Sequence, residues 1–515
     1  MARFISGREA AQLIKSDSNV CIIGNISLLE PETILFEIEK RFLEEEEPRN
    51  LTILFPVFIG SMEDRGIDYF AHEGMVKKSI GGSYASMGPN KKFNDLIFQN
   101  KVEAYDIPMG SFYKLLEATG SGQPGLFTKV GLNTHADPRI AGSKLNEVTK
   151  EDIVKVVNVE GEEYLFYPRL KVDVSIIRGT SADEKGNIYL DNEPTSQGIF
   201  DIALAAKNNG GIVIAQVRRR VKSGTINPKL GLVPGKLVDY VVIDERDEAT
   251  VSHHEPSTYS ERKERIEAKP LPFNHRKIVL RRMLLELKRN NLVNLGFGIP
   301  AQLPTLAVEE GVNNDITFTI EHGAIGGVPG FDGTFAVSVN PEVILDSRNI
   351  FDLYTCGMLD ATCLGMGEAD MYGNVCNHKF KNMIAGPGGF NDITYRTPKI
   401  IFGATFTAGG LVTSIQDGKL EIVKEGRIPK FSSKIESITY NAFDGIKKGQ
   451  EVLYITERAV FRLVEGGIEL IEIAPGIDLD RDIRSLLDFE LKISPSLKLM
   501  DPRIFKDDLM KIEIE

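Results

Sequence analysis

Apolar positions recur with two different periods along the chain, and the periods alternate. Ile278, Leu280, Met283, Leu284 and Leu287 fall largely at helical spacing with Arg and Lys between them, and Asn274 stands just ahead as an N-cap. This predicts a helix that ends by Asn290-Asn291. Near the N-terminus, Ser6 with Glu9 three residues on is a capping-box pair, predicting a short helix through Ala10, Ala11, Leu13 and Ile14. Between helical stretches lie short apolar, β-branched runs: residues 18–24, Leu51 to Phe55, Leu292 to Leu295 and Ile316 to Ile320. The first leads through Pro31-Glu32 into a helix from Thr33 to Phe42. The third leads through Gly296-Phe297-Gly298-Ile299-Pro300 into another. Strands alternating with helices at this spacing predict an α/β fold with parallel sheets.

The chain echoes itself. Ala182-Asp183-Glu184-Lys185-Gly186-Asn187-Ile188 is matched by Ala369-Asp370-Met371-Tyr372-Gly373-Asn374-Val375, at matching places in the two halves. Both copies fit a turn with Gly at positive φ entering a strand. An internal duplication follows, with two related open α/β halves. The stretch from Asp244 to Pro272 is polar, carries both charge signs and lacks apolar periodicity, so it reads as a linker (244–272) between residues 1–243 and 273–515. Its His253-His254 pair could ligate a metal, but no acidic or thiol partner stands nearby at ligand spacing, and no metal is expected.

Composition removes several function classes. With 61 Lys+Arg against 73 Asp+Glu, the net charge is −12, so nothing in the overall field attracts nucleic acid. Cys21, Cys356, Cys363 and Cys376 lack C-x-x-C spacing and read as reduced, small buried hydrophobes of a cytoplasmic protein. No apolar run reaches the length of a membrane span, and the first residues lack a cleavable apolar region, so the mature protein is expected to begin there.

Familiar catalytic signatures are missing: no G-x-S-x-G elbow, no P-loop, no H-E-x-x-H. Seven histidines in 515 residues favour a mechanism without a His base. Gly296-x-Gly298-x-x-Ala301 matches the looser dinucleotide fingerprint, but Pro300 interrupts the turn and no ribose-binding carboxylate follows at a clear strand end. The most informative segment is Thr317-Phe318-Thr319-Ile320-Glu321-His322-Gly323-Ala324-Ile325-Gly326-Gly327-Val328-Pro329-Gly330. A β-branched strand ends in one carboxylate, and the glycines after it let backbone approach a ligand closely. In a parallel sheet, ligands bind at the carboxyl ends of strands. Glu321 is then a candidate for chemistry, the alternative being a carboxylate that caps the following turn.

Over essentially its whole length the sequence resembles the class I coenzyme A transferases, in particular the long single-chain acetate/propionate type. In the first half the matching pieces are Lys101 to Tyr105, Gly122 to Leu132, Ala136-Asp137-Pro138-Arg139, Ile177-Arg178-Gly179-Thr180 and Val233 to Asp239. In the second half they are Asn294 to Pro300, the Glu321 segment, Gly386-Pro387-Gly388-Gly389-Phe390 and Ile455 to Phe461. The resemblance implies that Glu321 is a nucleophile that attacks an acyl-CoA thioester, becomes a glutamyl-CoA thioester and hands CoA to an acceptor carboxylate. A Glu of ordinary pKa is ionised at pH 7, so this exchange needs no activating base.

The tetrahedral oxyanion of each step needs N–H donors. Candidates are Gly365 and Gly367 in Leu364-Gly365-Met366-Gly367, and Gly388 and Gly389, which the resemblance also makes CoA neighbours. Lys379 is a candidate for the CoA phosphates. The denser basic run Arg218-Arg219-Arg220 with Lys222 reads rather as a solvated strand edge. CoA and acyl-CoA enter as substrates, with no tightly bound cofactor, and a homo-oligomer is expected.

Departures from the family pattern are Met109 where relatives often carry Gln, the opening Ile23-Gly24-Asn25-Ile26-Ser27 without a Gly-rich turn, Pro56 at the place that Glu321 takes in the second half, and His322, read as facing outward. Two rival readings remain: an acyl-CoA hydrolase with the same intermediate, and a catalytically silent CoA-binding protein.

Overall fold

Charge-free runs of Val, Ile and Leu can be buried on both faces only inside a parallel sheet covered by helices, and the chain builds two such sheets. The computed structural model describes residues 2–25, 28–60, 65–84, 92–244, 255–381 and 383–515. The chain divides into two compact units: Met1–Glu261 with Ile344–Phe351 and His378–Asp392, and Arg262–Val343 with Asp352–Asn377 and Ile393–Glu515.

In the first unit, strands β1 (Arg3–Ile5), β2 (Asn19–Ile22), β3 (Leu51–Phe55), β4 (Val76–Gly81), β5 (Glu103–Asp106), β6 (Val174–Asp183), β7 (Ile212–Val221) and β8 (Tyr240–Ile243) pair in the order β1-β8-β7-β6-β2-β3-β4-β5. Every neighbouring pair is parallel. Helices α1 (Gly7–Gln12), α2 (Glu32–Glu45), α3 (Met109–Gly120) and α4 (Ile199–Asn208) accompany them. The capping box forms as predicted: Glu9 N–H donates to Ser6 Oγ at 3.2 Å, and Ser6 N–H donates to Glu9 Oε2 at 2.8 Å.

In the second unit, Asn274 caps α5 (His275–Leu284), accepting from Arg276 and Lys277 N–H. Strands β9 (Leu292–Leu295), β10 (Thr317–Thr319) and β11 (Ala324–Ile325), with helix α6 (Leu303–Glu310) between β9 and β10, precede β12 (Ala361–Gly365). The strands β13 (Glu368–Asp370), β14 (Val375–Cys376), β15 (Lys399–Gly403), β16 (Glu451–Ile455), β17 (Ala459–Val464), β18 (Gly467–Ile473) and β19 (Lys492–Leu499) follow. The main sheet runs β11-β10-β9-β12-β15-β16-β17-β18-β19, and its core β10-β9-β12-β15-β16 is parallel.

The core repeats the first unit's order β3-β2-β6-β7-β8. The duplication extends to single atoms. Asp183 accepts from Lys185 N–H (2.9 Å), Asn187 N–H (3.0 Å) and Asn187 Nδ2 (2.8 Å). Asp370 accepts from Tyr372 N–H (3.0 Å), Asn374 N–H (2.9 Å) and Asn374 Nδ2 (2.9 Å). Gly186 and Gly373 take φ of +85° and +91°, the left-handed conformation the turn requires.

Residues 378–392 belong to the first unit because their backbone is bonded into it. Tyr84 N–H donates to Ala385 O (2.7 Å), Gly388 N–H to Gly82 O (2.9 Å) and Met109 N–H to Gly388 O (2.9 Å). Cys21, Cys363 and Cys376 are buried, but Cys356 is exposed, which corrects the expectation of four buried thiols. Its Sγ points back to Leu353 O at the surface end of a helix. Among the described residues no helix is long and apolar enough to cross a membrane. The His253-His254 pair and Ile26-Ser27 lie outside the described residues.

Candidate active site

Strand order reverses between β9 and β12, where β9 has β10 on one side and β12 on the other. In open α/β sheets a crevice forms outside the carboxyl ends of the strands at such a switch point. The second unit gathers Gly296-Phe297-Gly298, Glu321 and Gly365 at these strand ends. The turns approach so closely that a Cβ on Gly365 would stand 2.9 Å from Phe297 O, and one on Gly296 2.8 Å from a Leu364 methyl. Gly367 lies two residues beyond β12, half-buried.

Beneath this end of the sheet lies a buried polar row that sequence reasoning missed. Thr319, Asn294 and Thr362 are in register across β10, β9 and β12, and all three are fully buried. The Thr362 hydroxyl donates to Asn294 Oδ1 (3.1 Å), Asn294 Nδ2 donates to the Tyr354 hydroxyl (3.2 Å), and Tyr354 donates to Thr319 Oγ1 (2.9 Å). Each donor points the same way, so the bonds polarise one another. Burial pushes the Tyr354 phenol up, and the Glu321 charge adds to that shift. The signal was one Asn and two Thr inside otherwise apolar strands, but pairing them required the register.

Glu321 sits in a tight turn two residues after β10. Ile320 N–H donates to Ala324 O (3.1 Å), Gly323 N–H returns to Ile320 O (3.1 Å), and Gly323 takes φ of +118°. Successive side chains of so short a turn diverge: Glu321 is half-buried while His322 goes inward. The expectation of an outward-facing His322 is therefore corrected. Its ring is 3% exposed and meets the Phe335 ring edge-to-face at 5.8 Å. Burial lowers its pKa to about 3, so a neutral imidazole stands beside Glu321 at neutral pH.

In the first unit, Gly388 is half-buried and Gly389 buried. Gly388 takes φ of +53°, and both its amide groups are engaged, N–H with Gly82 O and C=O with Met109 N–H. The N–H of Gly388 is thus already spent on the protein. Gly386 packs so tightly that a Cβ would stand 2.8 Å from Ser83 Cα. Lys379 Nζ donates to Leu145 O at 2.7 Å. Met109 is fully buried, and Pro56 directly follows β3. Arg219 is exposed and bonds Ser181 Oγ (3.0 Å), while Arg220 lies over the Phe4 ring at 4.3 Å.

The first unit also buries Asp106, His135 and His378, whose ligand atoms lie within 4.8 Å of one another. The donor types suit a transition metal. The two imidazoles stack at 3.9 Å and 21°. Burial pushes the Asp106 carboxyl well up and His378 well down, and the Lys379 charge bears on both.

Ile455 to Phe461 proves to be a structural corner between β16 and β17. Arg458, fully buried, bonds Glu457 (2.6 Å), Glu425 (2.8 Å) and Asp482 O (3.1 Å).

The family profile described as Coenzyme A transferase matches residues 5–244. Acetate CoA-transferase YdiF of Escherichia coli O157:H7 is 41% identical over 510 residues, 98% of this chain and 96% of that protein. Caffeate CoA-transferase of Acetobacterium woodii is 41% identical over 518 residues, 98% of each. The crystal structure of the acyl-CoA transferase YdiF apoenzyme from E. coli O157:H7 aligns with a TM-score of 0.93 at 40% identity, covering 100% of this chain and 98% of that one. A second structure of that enzyme, a thioester complex with CoA, aligns equally well.

Proposed function

The chain belongs to the coenzyme A transferases, of the acetate CoA-transferase type, and on that footing we propose that it moves CoA from a short-chain acyl-CoA such as propionyl-CoA to a small carboxylate such as acetate, through a thioester on Glu321. The observation that carries this reading is the place of Glu321, in a tight turn beyond β10 and beside the switch point of the second sheet.

The Glu321 carboxylate attacks the thioester carbonyl, releasing CoA thiolate and leaving an acyl-glutamyl anhydride. The thiolate attacks the glutamyl carbonyl, releasing the first carboxylate product and leaving glutamyl-CoA. The acceptor carboxylate displaces the thiolate in turn, and the thiolate then takes the acceptor's acyl group and frees Glu321. No net proton moves, which accords with a neutral His322 and no other base at the turn. N–H groups at the ends of β9 and β12, Gly365 and Gly367 among them, are the donors this reading assigns to the oxyanion. Gly388 contributes smallness rather than a donor, giving pantetheine a backbone surface to lie against.

Mass spectrometry of acid-quenched, digested protein after incubation with propionyl-CoA tests the proposal. The expected result is a CoA-sized mass on the Glu321 peptide, discharged by labelled acetate into acetyl-CoA. An unmodified peptide across a panel of short acyl-CoAs would refute it, and discharge by water alone at the same rate would point to hydrolysis.

A further inference from the structure

Helix α3 starts at Met109 after Pro108, which offers no side-chain cap. The first N–H groups of a helix have no partner within it and must find one elsewhere. Here the partners come from residues 388–392: Met109 N–H donates to Gly388 O (2.9 Å), Gly110 N–H to Asp392 Oδ2 (2.9 Å), and the Ser111 hydroxyl reaches Asp392 Oδ1 at 3.4 Å. Gly110 is glycine for a steric reason, since a Cβ there would stand 2.6 Å from Asp392 Oδ1. Asp392 is 1% exposed, so its carboxyl has little water to turn to.

We propose that Asp392 is a positioning residue that locks the Gly388-Gly389 backbone onto the first turn of α3, and so sets the surface against which CoA lies. This rests on the CoA-transferase reading above. The lock has two points. Gly388 O on Met109 fixes the glycine itself, and Asp392 on Gly110, four residues later, fixes the chain's direction out of the turn. The peptide dipoles of α3 favour a negative charge at that place, while burial opposes it. The result is a carboxyl pushed up to about 7, with burial as the larger cause and Gly110 N–H and Lys114 drawing it back. The titratable groups that face Asp392 are Lys114 on α3 and the buried Tyr167 phenol. Bonds to the ionised carboxylate are the stronger ones, so the lock tightens as pH rises through 7.

Three readouts test this. Calorimetric titration with CoA reads the glycine surface whether or not Glu321 turns over. Asp392→Ala should weaken CoA binding about tenfold and raise KM for acyl-CoA in parallel, with kcat within about threefold, the signature of lost binding common to ground and transition states. Asp392→Asn keeps an oxygen for Gly110 N–H and should recover most of the affinity. In the wild type CoA affinity should rise between pH 6 and 8, and this step should shrink in Asp392→Asn. Any step left in that variant belongs to the CoA phosphate, which titrates near 6.

Unchanged CoA affinity in a folded Asp392→Ala variant would overturn the proposal. If that variant does not fold, an undiminished pH step in Asp392→Asn would do the same. Loss of the Glu321 thioester in the wild type, with CoA affinity still responding to Asp392, would instead sink the transferase mechanism and leave the lock standing.

Discussion

Replacing Tyr354 by Phe removes one oxygen from the middle of the polar row beneath Glu321. That oxygen accepts from Asn294 Nδ2 and donates to Thr319 Oγ1. The ring stays, so no sizeable cavity opens, and the cost is one of unmet hydrogen bonds. Thr319 Oγ1 keeps an outlet towards Val293 O at 3.4 Å, but Asn294 Nδ2 loses its acceptor in a fully buried place. A buried unsatisfied donor costs about 1–3 kcal/mol, which puts the loss near 2 kcal/mol. For a unit of this size that lowers Tm by roughly 4–8 °C in the transition that melts it. Thr319 lies two residues ahead of Glu321, so loosening the strand end should also slow turnover, by about tenfold if the carboxylate wanders a fraction of an ångström. Scanning calorimetry and initial rates with saturating acyl-CoA and acetate measure both. The double variant with Thr319→Val should cost less than the sum of the two singles, because the residues share one bond. A Tm within 1 °C of wild type together with turnover within twofold would refute the reasoning.

Glu321→Asp retracts the nucleophile by about 1.5 Å and should lower turnover by ~10²-fold, while Glu321→Ala abolishes transfer and leaves CoA binding in place. Wild-type-like rates in either variant, measured by labelled acetate exchange, would contradict the assignment. Arg458→Leu strands the buried Glu457 carboxylate and should destabilise the second unit by about 3–5 kcal/mol, read as a lower melting temperature. Asp201 in the first turn of α4 is raised to about 6, chiefly by burial with Arg348 opposing. A raised folded pKa gives stability that is complete below about pH 4 and lost as pH climbs through 6. Asp201→Asn should therefore gain up to about 3 kcal/mol over wild type at pH 8 and nothing at pH 3.5, by unfolding at the two pH values.

What could be read in the sequence was local. The Ser6–Glu9 box, the Asn274 cap and the two Asp-x-x-Gly-Asn turns each close within a few residues, so their residue types already contain the hydrogen bonds that form. The alternation of strand and helix likewise states the layer order. Glu321 stood out because a strand ends on it. The polar row did not stand out, because Thr319, Asn294 and Thr362 meet only once three strands are in register. His322 was misread because its direction depends on how tightly the turn closes. Asp106, His135 and His378 are separated by tens to hundreds of residues, and nothing in their neighbours announces that they share a pocket. The same distance hid the engagement of Gly388 N–H with Gly82.

Residues 378–392 carry a consequence for the order in which the protein is made. They complete the first unit, yet 116 residues, 108 of them belonging to the second unit, are translated between Glu261 and His378. At roughly 5–20 residues per second, the first sheet waits some 6–24 s on the ribosome with its finishing segment unsynthesised. During that interval Met109 and Gly110 N–H have only water to bond, and the neighbours of the Ile384 side chain stand open. A nascent first half is therefore a partly finished body with an exposed seam, sealed only when translation is three-quarters done.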